Sequence, residues 1–372
     1  MALIRLDITN FRNLRSLHIE PLPRGFNLIF GDNGSGKTSL LEAIYFLSMG
    51  RSFRSSLASR VVCHDADKFS LFAQLTIGQQ TMPVGLERNE KGETKIRIAG
   101  QNASGIAELA HILPIQLINA DSYHLLEGPA FRRKYLDWGA FYSAPSFFRV
   151  WKQFQRALKQ RNAALRNHLP PKEINIWTDE VAENGIQLDN LRREYVDHLL
   201  PLLTHTVSEL LHIDGLQIAY EPGWDQRKNY QEILAESIIK DRQAGFTQMG
   251  PHRADFKVLI DGIPAKDILS RGQQKLFVCA MIITQGTLLY KHTKKQPIYL
   301  VDDLPAELDS VSRSNLLSLL SKQDAQLFIT AVERQTLEGF ISPHPSKMFH
   351  VEHGEVGELK KESATRSIEL SV

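Results

Sequence analysis

GDNGSGKT, residues 31–38, lies between a short apolar run, FNLIF (26–30), and a segment in which Leu40, Leu41, Ile44 and Leu47 recur at helical spacing. Two glycines five apart followed by Lys and Thr, after a strand and before a helix, form a phosphate-binding loop. Successive backbone N–H groups face one concavity there, and the helix N-terminus adds positive potential. Gly31, Asp32, Asn33, Gly34, Ser35 and Gly36 would wrap a nucleotide such as ATP, with Lys37 reaching its β- and γ-phosphates. The Thr38 hydroxyl would bind Mg²⁺.

Such a loop needs an acidic partner at the end of a neighbouring strand. YLVDD (299–303) supplies one: Asp302 would hold Mg²⁺ and Asp303 would polarise the attacking water. The following AELD (306–309) places Asp309 one turn further on. A second polar knot precedes an apolar run in ILSRGQQKLF (268–277). Ser270 and Gln273 have capping-box spacing, so Ser270 starts a helix and Gly272 lies in its first turn. Glycine is a poor helix former. Its presence beside free N–H groups and a hydroxyl fits close approach of an anion.

Around these motifs the texture changes twice. Residues 2–8, 14–19 and 70–99 read as strands, and 103–239 as helical, broken at LPPKE (169–173) and EPGW (221–224). Strand patterns return after Gly250 in ADFKVLIDG, PIYLVDD and AQLFITAV, with an apolar helix at about 272–290 between the first two. One strand-rich unit split by a helical insertion is expected, closed by the two ends of the chain. The 372 residues, 42% apolar and 23% charged, are ample for a globular core. Cys63 and Cys279 are the only cysteines, which argues for a reducing cytosol and against a disulfide framework. The N-terminus carries charge where a secretory leader is apolar, and no run approaches the roughly 20 residues that span a bilayer.

The net charge of +2 hides an uneven distribution. Residues 131–172 hold ten Lys/Arg and one acid, Asp137, a net of +9, so the remainder sums to −7. Trp151, Phe154 and Leu158 share one helical face and read as core. Lys152, Arg156, Lys159 and Arg161 are the candidate DNA contacts, because a merely solvated face mixes signs. With no base-reading motif, recognition of backbone and shape is expected. A lone His252 in GPHR (250–253) reads as structural.

The phosphate loop, LSRGQ, the paired acids and the following ELD together resemble ABC-type ATPase heads. GRSFRS (50–55), LDWG (136–139), GPHR and LSRGQQKL (269–276) narrow the match, over residues 3–353, to the bacterial RecF recombination-repair family. The resemblance implies an α/β P-loop ABC-type ATPase lobe with β-rich N-terminal strands and an inserted helical lobe, without a long coiled coil. The expected divisions are 1–102 and 246–353 for the ATPase lobe, 103–245 for the basic insertion and 354–372 for a polar tail. It also implies a cytoplasmic, ATP-dependent homodimer at junctions of single- and double-stranded DNA. Such proteins work with RecR and RecO to load RecA in replication, recombination and the SOS response, without a membrane. Ser270, Gly272 and Gln273 of one subunit would then face the nucleotide held by the other. Gln116, in PIQLI (114–118), is the candidate Gln linking Mg²⁺ to the helical lobe, and Arg12 the candidate nucleotide contact from the N-terminal strands.

Three positions depart from the pattern. Asp303 stands where many ABC ATPases have Glu, Thr330 where many have His, and Ala306, after Pro305, where Ser usually begins the ELD segment. Slow hydrolysis, below roughly 1 s⁻¹, is therefore expected, with ATP acting as a switch. A transporter ATPase fits the basic run poorly. A Rad50- or SMC-type head would need long heptads at the insertion. A non-cycling module glued by ATP remains the other reading.

Overall fold

The computed structural model describes residues 1–55, 57–303, 308–341 and 343–359. The chain divides into two compact units, residues 1–119 with 296–372, and residues 120–295.

The first segment contains β1 (Ala2–Phe11), β2 (Leu14–Ile19), β3 (Gly25–Phe30), α1 (Lys37–Met49), β4 (Lys68–Ile77), β5 (Gln80–Asn89), β6 (Thr94–Ile98), β7 (Gln101–Asn102), α2 (Ile106–Ile112) and β8 (Ile115–Ile118). Six of these strands form an antiparallel sheet in the order β2-β1-β4-β5-β6-β7. Alternation selects its inner face: Phe69, Leu71, Ala73 and Leu75 of β4 are buried, while the residues between them are half-buried or exposed. Phe11, Phe46 and Phe69 meet edge to face with ring centres 5.0–5.9 Å apart, joining α1 to that sheet.

The second unit contains α3 (Pro129–Ser143), α4 (Phe147–Arg166), α5 (Pro171–Leu211), β9 (Leu216–Glu221), α6 (Tyr230–Glu236), α7 (Ile238–Ala244), β10 (Asp255–Ile260), β11 (Ile263–Pro264), α8 (Ala265–Ile268) and α9 (Arg271–Thr293). α5 runs for 41 residues through Pro201 and packs on α3, α4 and α9. Gly139 is where α3 and α5 come closest, since a Cβ there would lie 1.9 Å from the Tyr195 ring. No long coiled coil extends from the unit among the described residues.

The chain then returns to the first unit with β12 (Ile298–Val301), α10 (Ser310–Ser321), β13 (Gln326–Ala331), α11 (Gln335–Ile341), β14 (Ser346–Glu352) and β15 (Glu355–Leu359). These complete a second sheet, β15-β14-β3-β13-β12-β8, parallel except at β15. β12 and β13 are buried at every position, as parallel strands covered on both faces are. β3 thus sits between two strands from beyond residue 325, the expected closure of the two chain ends.

The expected divisions at 102/103 and 245/246 need correction. β8 and α2 belong with the P-loop unit because β8 pairs with β12. β10 and β11 belong to the insertion because β10 pairs with β9, Phe256 opposite Tyr220. α9 is held there too: Tyr135 Oη donates to Met281 O at 2.9 Å, and Gln285 Nε2 donates to Tyr195 Oη at 2.8 Å. The tail expected from 354 begins as strand β15, with Val351 opposite Val356. Pro305, Ala306 and residues 360–372 lie outside the described residues.

Candidate functional site

The P-loop is shaped by local backbone demands. Gly31 has φ +147° and Gly36 has φ +124°; a Cβ on Gly31 would lie 2.1 Å from Val351 O. Gly36 caps α1 without a side chain, so the first-turn N–H groups of that helix have no side-chain acceptor. Ser35 Oγ is buried and has no hydrogen-bond partner among the described residues. Lys37 is 8% exposed and its Nζ donates to Gly31 O at 2.7 Å and Asp32 O at 2.9 Å. Burial lowers its pKa, against the opposing pull of Asp303, Asp302 and Asp32. Unpaired donors, an orphaned hydroxyl and a buried cation at one helix start fit a phosphate chain.

Register brings the acids to that helix. β12 runs parallel to β13, and its last strand residue is followed directly by Asp302 and Asp303. Thr38 Oγ1 donates to Asp302 Oδ1 at 3.0 Å. Thr330, at the end of β13 and 1% exposed, donates to the same oxygen at 2.8 Å and accepts from the Asp303 N–H at 2.7 Å. One hydroxyl therefore orients both acids, with Asp303 held at φ +50°. Burial raises the Asp302 carboxyl above its usual range and Asp303 adds to this, while the hydroxyls of Thr330 and Thr38 oppose it. Among the described residues no three His, Cys, Asp or Glu gather as a metal cage. A Mg²⁺ shared with phosphates needs only one or two protein oxygens, which Thr38 and Asp302 offer.

These residues line a cleft of about 910 Å³ with Arg12, Asn13, Arg15, Arg54 and Arg60. Arg12, in the β1–β2 turn, donates from Nε and Nη2 to Glu42, which is fully buried on α1, at 2.7–3.3 Å. Its Nη1 donates to Arg60 O. Asn13 donates to Ser35 O at 3.2 Å and accepts from Ser39 Oγ at 2.7 Å, clamping the P-loop to the N-terminal turn. Asn13, Glu42 and Arg54 received no site role from the sequence, and Thr330 was marked there only as standing where many ABC ATPases have His.

Gln116 requires correction. It is buried, pairs level with Tyr299 and is absent from the cleft lining. Three residues of strand set it about 10 Å back from Asp302. Asp302 N donates to Ile118 O at 2.9 Å, so the residue that the pairing carries level with Asp302 is Asn119.

The signature stretch lies in the other unit. Ser270 Oγ accepts from Gln273 N at 3.3 Å and Gln273 Oε1 accepts from Ser270 N at 3.0 Å, the capping box read from the spacing. Ser270, Arg271, Gly272 and Gln273 are exposed, and a Cβ on Gly272 would meet nothing within 4 Å. The Arg271 and Gly272 N–H groups, first in α9, have no acceptor within the helix.

The basic segment divides in two. Arg161 is fully buried, donating to Asp241 at 2.8 Å, Thr247 at 2.6 Å and Thr178 at 3.0 Å, so it cannot contact DNA as expected. Helical phase puts it beside Phe154, Ala157 and Leu158 on the packed face of α4. Arg132 likewise pairs with Asp255. Lys152, Arg156 and Lys159 are exposed with Arg149 and Arg166, and none has an acidic partner among the described residues. His252 is structural: its Nε2 meets Thr247 O at 2.9 Å and its ring stacks near Phe154.

A P-loop sheet with paired acids, a separate helical unit and a capped signature helix define an ATPase head of the type shared by RecF and SMC proteins. The family described as RecF/RecN/SMC N terminal domain matches residues 2–356. The chain belongs to the RecF family. It is 45% identical over 357 residues to the DNA replication and repair protein RecF of Shewanella oneidensis, covering 96% of this chain and 99% of that protein. The RecF of Shewanella halifaxensis is also 45% identical, over 362 residues, with 97% and 99% covered. A solved structure of the recombination mediator protein RecF with ATP, in the RecFOR pathway, superposes with a TM-score of 0.86 at 27% identity, covering 96% of this chain and 98% of that one. An Smc head bound to the C-winged helix domain of ScpA shares the fold alone, at TM-score 0.58 and 15% identity, with 98% and 99% covered.

Proposed function

We propose that this chain is an ATP-dependent DNA-binding protein of recombinational repair in the cytoplasm. It would dimerise around ATP at junctions of single- and double-stranded DNA and act with RecR and RecO in loading RecA. The observation that carries the nucleotide reading is the Thr38–Asp302–Thr330 chain beside the unpartnered Ser35 hydroxyl. The ATP-bound relative supports it. Thr38 and Asp302 would hold a Mg²⁺, which supplies neutralisation of phosphate charge. Lys37 and the α1 N-terminus bind the phosphates. Arg12, fixed by Glu42, flanks them in the cleft. Asp303 orients the attacking water from a side chain one methylene shorter than Glu, so hydrolysis is slow and DNA binding stimulates it.

Ser270, Gly272 and Gln273 complete the site of a second copy. The exposed first turn of α9 presents two free N–H groups and a hydroxyl to its γ-phosphate. The exposed cations of α4 hold the DNA backbone.

Mixing tests the composite site. Lys37→Met and Ser270→Arg chains, each inactive alone, should regain ATP-dependent dimers on gapped DNA with one intact site per pair. Monomeric ATP-dependent binding indifferent to Ser270→Arg would defeat the dimer reading.

A further inference from the structure

Five Phe or Tyr side chains among the described residues are more than a third exposed: Phe72, Phe131, Phe148, Phe246 and Tyr290. Four of them already have a cation of their own chain over the ring: Arg5 on Phe72, Lys134 on Phe131, Arg253 on Phe246 and Lys294 on Tyr290, at 5.3–5.8 Å from the ring centre. Phe148 has none. It lies instead on an aromatic bed, stacked at 14° to Trp151 with ring centres 6.4 Å apart and edge-on to Phe141 at 5.9 Å. The ring is thus held in one orientation and remains 40% exposed.

Its position on α4 gives this exposure a chemical meaning. At 100° per residue, Arg149, Lys152, Arg156, Lys159 and Arg166 fall within one 100°-wide stripe about 26 Å long. Phe148 is at the N-terminal end of that stripe and is one turn from Lys152, its neighbour at i+4. A row of unpaired cations suits phosphates of either a duplex or a single strand. An exposed, pre-oriented ring suits a nucleobase whose face is uncovered, because bases inside an undistorted duplex are stacked on both sides.

We propose that Phe148 is a stacking platform for an unpaired base, and that the α4 face therefore reads the single-stranded side of a junction. This deepens the DNA-binding reading above and rests on it. The stripe supplies affinity common to all DNA. Phe148 supplies the preference for DNA with an unpaired base beside the bound phosphates.

The test compares two DNAs with the full-length chain: a gapped duplex, and a duplex of equal length closed at both ends by covalent loops too distant to reach α4. Binding is read by fluorescence anisotropy, with 2-aminopurine in the gap reporting stacking. Phe148→Ala should weaken gapped-DNA binding by about 5- to 150-fold, the loss of one base stack. It should change closed-duplex binding by less than about twofold and abolish the 2-aminopurine quenching; Phe148→Trp should keep both signals. Equal loss on both DNAs, or full gapped-DNA affinity in a folded Phe148→Ala chain, overturns the proposal. Wild-type chain that binds neither DNA overturns the DNA-binding reading with it, whereas duplex binding without a Phe148 effect overturns the platform alone.

Discussion

Replacing Thr330 with Val removes one hydroxyl and keeps the shape of a side chain that is 1% exposed. That hydroxyl donates to Asp302 at 2.8 Å and accepts from the Asp303 N–H at 2.7 Å. A hydrogen bond to a charged group contributes about 1.5–3 kcal/mol. Its loss leaves the ionised form of Asp302 supported by the Thr38 hydroxyl and the charge of Arg54, so the raised carboxyl pKa climbs further. The sign follows from which form is favoured: the hydroxyl stabilises the carboxylate, and Mg²⁺ binds the carboxylate. The Mg²⁺-dependent part of ATP affinity should therefore appear at a higher pH in Thr330→Val than in wild type. Thr330→Ser keeps both hydrogen bonds and should behave as wild type. Fluorescent ATP titrated with and without Mg²⁺ across pH measures this directly. An unshifted Val profile, or a Ser profile displaced as far as that of Val, would refute the reasoning.

Four further outcomes are expected. Arg161→Ala should lower stability by about 3–5 kcal/mol, because Asp241 is left buried and unpaired, with no loss of DNA affinity per folded molecule; thermal unfolding beside anisotropy separates the two. Lys152→Ala should do the reverse, leaving the melting temperature and weakening DNA binding. If the five free α4 cations meet phosphates, affinity should fall by about 500-fold between 50 and 200 mM salt, a slope near −4.5; a flat response counts against the face. Burial pushes His252 down to about 4 from an ordinary 6.5, so its contribution to stability is present above pH 6.5 and is lost as pH falls toward 4. That contribution is about 3 kcal/mol. The stability gap between wild type and His252→Gln should accordingly narrow over this window in chemical denaturation.

The elements that were legible in the sequence are those whose cause is local. The P-loop and α1 follow from glycine backbone freedom and a helical apolar period within 20 residues. The Ser270–Gln273 box formed as its spacing required, because both partners lie in one turn. Asp302 and Asp303 were legible as a strand end, but the hydroxyl that orients both comes from β13, across a parallel pairing that spacing does not display. Gln116 was placed wrongly for the same reason: a strand's register against its neighbour decides which residue stands level with the acids, and here that is Asn119.

The sequence by itself determined that this chain has a nucleotide-binding sheet closed from both ends, a helical insertion and an excess of cations in one stretch. Composition and period carry that much because they act within a few turns or strands. Tertiary structure alone decided which cations are free. Arg156 and Arg161 are five residues apart on one helix, yet Arg156 is exposed and Arg161 is fully buried against Asp241, eighty residues away. It also decided that Phe148 lies against Trp151 while each of the other exposed rings has a cation of its own chain over it. Burial and charge pairing depend on what the rest of the chain packs against each side chain, and a linear pattern holds no record of that.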